Sequence, residues 1–256
     1  NFVKIQALQK QESQSAKSQT EKLLVETSGK ETEYQQLLAD KQKRATEIRS
    51  RIFELIGVPE APTFGEALDI AELVSAQTGV RSALLLAVLT QESNIGKNVG
   101  QCYLKDPKTG NGVVAYSGKT ISKVMKPTRD VQPFLQITEE LGRDPYNTPV
   151  SCPIKSVGGY GGAMGPAQFI PSTWILYRDR LNKLAGRSVD PWNTKDAFLA
   201  AAVYLEDAGA GAQTYNAEWR AAMIYFSGGT NTRYRFYGDS VMRITSQYEK
   251  DIEALQ

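Results

Sequence analysis

Residues 158–174 read GGYGGAMGPAQFIPSTW, and this stretch is the part of the sequence that is most informative about fold and function. These seventeen residues include five glycines, two prolines, one glutamine and three aromatic side chains. Glycine allows backbone paths and close approaches that a Cβ atom would block. The stretch is therefore either a loose connector or bare backbone against which a ligand can lie.

The residues that follow the glycines favour a sugar over a nucleotide as that ligand. Pro166 suits the first turn of a helix, and Gln168, Phe169 and Trp174 come soon after it. An amide and aromatic rings beside bare backbone suit sugar rings, which have polar edges and apolar faces. A phosphate-binding loop would need a Lys followed by Ser or Thr and a preceding strand, and the stretch has neither.

The 256-residue chain contains no histidine, and this absence narrows the possible chemistry. A Ser-His-Asp triad, a Cys-His pair and a histidine-based zinc site are all excluded. The net charge of +2 and the 23% of charged residues give no sign of nucleic-acid binding. An enzyme made from this chain would work with carboxylates, hydroxyls, amides and backbone, and we expect neither a metal nor a cofactor.

The two cysteines, Cys102 and Cys152, are separated by fifty positions and do not form a redox motif. They are either two buried free thiols or a disulfide that closes a long loop. We favour the disulfide because the intervening segment is rich in turn residues and needs an anchor. On the chain-entropy view such a bond contributes about 4 kcal/mol. It also predicts a location outside the cytoplasm, in the periplasm, the cell envelope or the secreted fraction.

The chain divides by composition into a helical arm (residues 1–56), a linker (57–63) and a globular domain (64–256). In the second part of the arm, apolar side chains keep the four-and-three spacing of a coiled coil, with Lys41 in one of the slots. These apolar positions are Tyr34, Leu38, Ala45, Ile48, Ile52 and Leu55. The arm is either a solvated spacer or a docking segment for a protein partner or for self-association.

The globular domain is predicted to be mainly α-helical. Thr63 and Glu66 match a capping box that opens a helix to about residue 77, and the apolar run 81–93 predicts a helix buried on most sides. Residues 94–127 are interpreted as loops and turns, and no alternating strand pattern is recognised. Further helices are predicted near 129–142, 171–185, 194–208, 216–226 and 239–255.

Glu92 lies at the end of that apolar helix and is the main candidate for catalysis. A partly desolvated carboxylate has a raised pKa, stays protonated nearer neutral pH and suits a general acid. A Glu at a helix C-terminus also faces the unfavourable end of the helix dipole, so it does not serve helix stability. The alternative is that Glu92 simply turns towards solvent.

Three segments together resemble the lytic transglycosylases, most nearly the membrane-bound lytic transglycosylase B type of the goose-lysozyme-like fold. They are QESNIG around Glu92 and Ser93, GAMGPAQFIPSTW, and Tyr225 before a turn of small residues. The likeness spans about residues 64–250, and its most specific part is the GAMGxxQFxPS signature. The resemblance implies a lysozyme-like helical catalytic domain that acts on peptidoglycan glycan strands.

The resemblance also implies the roles of individual residues. Glu92 would be the single catalytic acid/base, whereas Ser93, Gln168 and Tyr225 would line the glycan cleft. Met164 and Phe169, which belong to the same signature, are also assigned to substrate binding.

One departure from the family pattern follows Tyr225. Many members have Ala-Tyr-Asn there, whereas this chain has Ile224, Tyr225 and Phe226. Any hydrogen bond that the family's Asn makes is therefore in doubt here.

The implied reaction cleaves the β-1,4 bond between MurNAc and GlcNAc without water and leaves a 1,6-anhydroMurNAc end. Two other functions stay open on the sequence alone. One is a lysozyme-like muramidase in which water replaces the sugar hydroxyl. The other is a peptidoglycan-binding adaptor that regulates cell-wall hydrolases through the coiled-coil arm.

Overall fold

The computed structural model describes residues 62–154 and 158–255. The predicted coiled-coil arm and most of the predicted linker lie outside these ranges. The compact unit Ser50–Ile252 contains nearly all of the described residues. No helix in the described part of the chain is both long and apolar enough to cross a membrane.

The described residues are mainly helical, as the sequence predicts. The α-helices are α1 (Phe64–Thr78), α2 (Ser82–Ser93), α3 (Gln132–Glu140), α4 (Pro171–Ala185), α5 (Thr194–Asp207), α6 (Tyr215–Ser227) and α7 (Arg235–Glu253). A π-helical turn at Pro127–Val131 leads into α3, and two 3-10 turns, Ala210–Ala212 and Thr232–Tyr234, precede α6 and α7.

The helix α2 lies at the centre of the core. Its residues 83–89, ALLLAVL, are all buried, which confirms the predicted burial on most sides. It packs against α1 and α5, and α5 is itself buried from Asp196 to Val203. The start of α1 is fixed by the predicted capping box, in which the Thr63 amide donates to the Glu66 carboxylate at 2.8 Å. Burial of this apolar helix positions Glu92, its penultimate residue.

A small antiparallel sheet follows α2, and here the prediction of loops and turns alone was wrong. Its strands are β1 (Cys102–Asp106), β2 (Asn111–Val114) and β3 (Thr120–Ile121), in the order β1-β2-β3. The strands are too short to show an alternating pattern, and the register of β1 against β2 shifts between Leu104 and Asp106. The buried position in β2 is occupied by a glycine, Gly112, so it adds no apolar side chain to the strand pattern. A Cβ there would lie 1.9 Å from the Tyr103 carbonyl oxygen.

Cys102 and Cys152 form the predicted disulfide, with 5.1 Å between their Cα atoms. The same place is held by two backbone hydrogen bonds, since the amides of Cys102 and Val150 each donate to the other's carbonyl at 3.0 and 2.9 Å. The bond therefore fastens the start of β1 to the segment that leads into the glycine-rich stretch.

From Gly161 onwards the glycine-rich stretch is packed closely against other segments of the domain and is no loose connector, whereas Gly158 and Gly159 are exposed, with no atom within 4 Å of an added Cβ. A Cβ on Gly165, whose φ is +61°, would lie 1.8 Å from the Pro191 carbonyl oxygen. A Cβ on Gly161 would lie 2.2 Å from the Ser151 carbonyl oxygen. The Met164 amide donates to the Phe169 carbonyl at 2.9 Å and closes a tight loop between them.

We expect Gly165→Ala to lower the free energy of unfolding by roughly 3 kcal/mol or more, because it adds a steric overlap to left-handed strain. Gly186→Ala is the matched control, since Gly186 has a φ of +68° with no atom within 4 Å of the added Cβ. It should cost only about 1–2 kcal/mol. Urea unfolding of both variants measures the difference, and equal losses would contradict the steric argument.

Candidate active site

Glu92 lies in a cleft of about 530 Å³, which we call the Glu92 cleft. One wall comes from the turn that follows α2, a second from the segment after the disulfide, and a third from the GAMGPAQFIPSTW motif with α6. The described residues that line it with Glu92 are Asn98, Gly100, Gln101, Ser151, Cys152, Pro153, Ile154, Gly159, Tyr160, Gly161, Ala163, Gln168, Ile170, Tyr225 and Phe226.

A second groove of about 400 Å³ adjoins the first, and we call it the Arg129 groove. It shares four lining residues with the Glu92 cleft: Gln168, Ile170, Tyr225 and Phe226. Because the two spaces have these walls in common, together they make an elongated site. Such a shape suits a polymer better than a small metabolite.

Burial raises the pKa of Glu92 to about 7, and a hydrogen bond from Tyr237 opposes that rise. The Tyr237 hydroxyl donates to the Glu92 Oε1 atom. Near neutral pH the Glu92 side chain is therefore present both as an acid and as a carboxylate. Such a group can give a proton in one step and take one back in the next.

Tyr237 is the functional residue that sequence reasoning missed. It lies 145 positions from Glu92 and belongs to an aromatic-rich segment, residues 221–240, in which no local spacing points to a carboxylate. Its ring stacks on Phe226 with centroids 4.8 Å apart. The close approach of α7 to α6 at Gly238, where a Cβ would lie 2.9 Å from Trp219 Nε1, brings the tyrosine into place.

Tyr225 faces the Glu92 cleft, and its hydroxyl donates to the Ala167 carbonyl oxygen at 2.7 Å. This bond joins α6 to the glycine-rich stretch. Burial and the nearby negative charge of Glu92 raise the pKa of Tyr225 well above its usual value. Tyr225 is therefore a neutral hydrogen-bond donor near neutral pH.

Gln168 lines both spaces and has a φ of +53°, which a non-glycine residue rarely adopts. Its Nε2 atom donates to the Gly165 carbonyl at 2.7 Å, so the side chain helps to hold its own turn. Phe169 lines the Arg129 groove from within an aromatic cluster. The cluster members around Phe169 are Trp174, Tyr177, Tyr204 and Tyr225.

Two predicted substrate-binding residues, Ser93 and Met164, lie beneath the surface of the cleft. Ser93 is only 2% exposed; its hydroxyl accepts a hydrogen bond from the Gly96 amide at 2.8 Å and donates to the Leu89 carbonyl at 3.3 Å. Ser93 therefore shapes the turn that follows Glu92. Met164 is fully buried. The structure brings Glu92, Gln168, Tyr225 and Phe169 to the elongated site, with Ser93 and Met164 behind its walls.

Among the described residues that line the two spaces, Glu92 is the single carboxylate. A glycosidase with an acid and a separate nucleophile or base needs two carboxylates. Over the same described ranges, no group of three His, Cys, Asp or Glu residues could hold a metal ion. Among the described lining residues, the group suited to proton transfer by a carboxyl group is Glu92.

Comparison with known families identifies the class of protein. The family model of the transglycosylase SLT domain matches residues 63–224, which are 162 of the 256 residues. The chain belongs to the transglycosylase SLT domain family. A comparison with curated protein sequences gives no match.

Solved structures of transglycosylases have a similar fold. A 36 kDa muramidase/transglycosylase aligns with a TM-score of 0.51 and 14% identity, over 84% of this chain and 77% of that chain. The Escherichia coli lytic transglycosylase Slt35 in complex with calcium aligns with a TM-score of 0.51 and 14% identity, over 84% of this chain and 76% of that chain. The same enzyme in complex with bulgecin A aligns with a TM-score of 0.50 and 14% identity, over 84% of this chain and 76% of that chain.

The family membership and the shared fold confirm three predictions made from the sequence. The domain is mainly α with a lysozyme-like architecture, its likeness to the lytic transglycosylases is correct, and the chain is an enzyme of the peptidoglycan lytic transglycosylase class. The individual roles of Glu92, Ser93, Met164, Gln168, Phe169 and Tyr225 stay predictions at this point.

Tyr237→Phe should raise the pKa of Glu92 further above its ordinary range. The Tyr237 hydroxyl stabilises the ionised carboxylate, so its removal favours the protonated form. Titration of the Glu92 side-chain carboxyl by ¹³C NMR measures the change. Tyr248→Phe is the control, because Tyr248 also lies on α7 and makes a 2.8 Å hydrogen bond to Thr90 on α2. A fall in the pKa of Glu92 in the Tyr237→Phe variant would refute the assigned role.

Glu92→Gln should stabilise the fold at alkaline pH. The folded-state pKa of about 7 exceeds the unfolded value of 4.5, so the native state holds this proton more tightly. The stability that the proton contributes is fully present below about pH 4.5 and is lost as the pH rises through about 7. Relative to wild type, the variant should therefore gain roughly 1–3 kcal/mol between about pH 4 and pH 8.

Denaturant unfolding at the two pH values tests this gain. Glu139→Gln is the matched control, because Glu139 is exposed on α3 and lies outside both spaces. A gain from Glu92→Gln that does not change with pH would show that the stability of the native state is not linked to this proton.

Proposed function

We propose that this enzyme cleaves the β-1,4 bond between MurNAc and GlcNAc in peptidoglycan and leaves a 1,6-anhydroMurNAc end, with Glu92 as the single general acid/base. The observation that supports this proposal is one carboxylate with a pKa of about 7 in an elongated cleft. A pKa near the working pH suits a residue that must act first as acid and then as base.

In the first step, protonated Glu92 donates its proton to the glycosidic oxygen while the bond from that oxygen to C1 of the muramic residue breaks. The departing GlcNAc keeps the proton as a hydroxyl group. The N-acetyl group of the muramic residue stabilises the positive charge that develops at C1, as in substrate-assisted hydrolases. This help from the substrate replaces the second carboxylate of an ordinary glycosidase.

In the second step, ionised Glu92 takes the proton from the muramic 6-hydroxyl as O6 attacks C1. The C1–O6 bond closes the anhydro ring, and Glu92 is again protonated. Tyr237 favours the first step, because its hydroxyl stabilises the carboxylate that forms as Glu92 gives up its proton, and a buried tyrosine with a raised pKa does not itself ionise. No proton is consumed over the cycle.

The walls of the cleft position the sugars for this chemistry. Gln168 and Tyr225 lie where the Glu92 cleft meets the Arg129 groove, so they flank the point at which a strand passes from one space to the other. Further along, Tyr204 offers partly exposed aromatic surface, and the buried Phe169 supports it from behind. The binding partner of these walls is the glycan strand of peptidoglycan.

The proposal also places the enzyme outside the cytoplasm, where peptidoglycan is found. The disulfide between Cys102 and Cys152 supports this location, because such bonds persist in oxidising compartments. Since Cys152 lines the Glu92 cleft, the bond stabilises the site itself.

A digest of purified peptidoglycan, with the products resolved by mass spectrometry, tests the proposal. Wild type should release anhydromuropeptides, each one water lighter than the hydrolytic product. Glu92→Gln should lose at least about 10²-fold in rate, the usual contribution of a general acid or base. Glu139→Gln should retain the wild-type rate.

Other outcomes would identify another function. Products with reducing ends would mean that water is the nucleophile and that the chain is a muramidase. Binding of the protein to the wall without any product, together with cleavage only when a separate hydrolase is added, would favour an adaptor. Full activity of Glu92→Gln would exclude Glu92 as the acid/base.

A further inference from the structure

The segment between α2 and the π-helical turn is strongly basic. Residues 94–126 contain six lysines and one carboxylate, Asp106, whereas the whole chain carries 30 basic and 28 acidic residues. The single carboxylate is occupied locally, because it accepts hydrogen bonds from the Thr109 hydroxyl at 2.6 Å and the Lys108 amide at 2.9 Å. This segment carries the sheet and, through Asn98, Gly100 and Gln101, one wall of the Glu92 cleft.

Lys123 lies beside an aromatic residue of the Glu92 cleft. Its Nζ atom lies 6.0 Å from the centroid of the Tyr160 ring, and Tyr160 lines the Glu92 cleft. The lysine is exposed and forms no ion pair with any described residue. The ring is 42% exposed, so both groups are accessible to a ligand.

The backbone holds Lys123 in an uncommon conformation. Its φ is +64°, a left-handed value that few residues other than glycine adopt. On one side the Lys123 amide donates to Asn111 Oδ1 at 3.2 Å, and on the other the Gly161 amide donates to the Lys123 carbonyl at 3.0 Å. The lysine is therefore tied both to the sheet and to the glycine-rich stretch.

We propose that Lys123 and Tyr160 form a subsite for the carboxylate-bearing peptide stem of a peptidoglycan strand. This inference rests on the proposed function. A stem is attached to the lactyl group of a muramic residue and projects from the glycan backbone, and its free carboxylates are negative at neutral pH. The ammonium of Lys123 binds a carboxylate, while the face of Tyr160 contacts the peptide backbone beside it.

The distribution of positive charge near the Glu92 cleft supports Lys123 as the group that binds a stem carboxylate. None of the described residues that line the Glu92 cleft is a lysine or an arginine. A stem that leaves the cleft past Tyr160 meets a cation at Lys123. Arg129, in the adjoining groove, is already engaged, since its Nε and Nη2 atoms donate to the buried Asp130 at 2.9 and 2.7 Å.

The subsite acts on affinity and leaves the chemistry of Glu92 unchanged. The raised pKa of Glu92 has burial as its main cause and Tyr237 as the opposing one. A change at Lys123 should therefore leave the pH dependence of cleavage as it is. This separates a binding role from an effect on the catalytic group.

The test compares Lys123→Met with Lys119→Met, a control lysine that is exposed beside β3 and absent from the lining of both spaces. Binding is measured in the non-cleaving Glu92→Gln background, with stem-bearing glycan strands and with strands from which an amidase has removed the stems. Lys123→Met should weaken binding of stem-bearing strands about three- to tenfold, as expected for one partly exposed charge-assisted contact.

Binding of stripped strands should not change, and Lys123→Arg, which keeps the charge, should restore most of the affinity. Equal weakening on both kinds of strand, or none on either, would overturn the subsite. An equal effect of Lys119→Met would overturn it too, in favour of general attraction by the basic segment. Stem-selective binding with no cleavage by the wild-type enzyme would refute the proposed function and leave the subsite standing.

Discussion

The hydrogen bond that Tyr237 donates to Glu92 is the interaction on which the site depends. The helix α2 is buried along residues 83–89, and burial of the Glu92 carboxyl group near its end disfavours the ionised form. Without a donor, the carboxyl group would hold its proton more tightly and would be a weaker acid in the first step. With several donors it would ionise too readily to act as an acid. One neutral phenol keeps both forms accessible near neutral pH.

That donor reaches Glu92 through aromatic packing, and the same packing builds the cleft wall. On α6, Tyr225 hydrogen-bonds to the glycine-rich stretch, whereas the next residue, Phe226, stacks on Tyr237. Both α6 residues also line the cleft. A shift of α6 would therefore move the sugar-binding wall and the donor of Glu92 together. The wall combines these packed aromatic rings with glycine backbone that, at Gly161, leaves no space for a side chain.

Local signals in the sequence predicted the elements that depend on neighbouring residues. The capping box of Thr63 and Glu66, the buried run before Glu92 and the dense glycines of residues 158–165 are each encoded within a few positions. The sheet was missed because its strands are short and its buried position at Gly112 has no side chain. Tyr237 was missed as a partner of Glu92 because only the packing of α7 on α6 brings the two together. Ser93 shows a third limit of prediction from the sequence, because a residue next to a catalytic candidate can face the protein interior instead of the cleft.

The small sheet shows why this wall of the cleft needs a covalent anchor. Strands of five, four and two residues bury few side chains, so the sheet gains little hydrophobic stabilisation of its own. It is nevertheless required to hold Lys123 and the turn of Gly100 and Gln101 at a fixed distance from Glu92. The disulfide at Cys102 removes freedom from the unfolded chain, and the hydrogen bond between Gly161 and Lys123 fixes the opposite edge. Because the anchor lies in the cleft lining itself, it stabilises the part of the sheet segment nearest the substrate, and the exposed turns further out are free to carry charge.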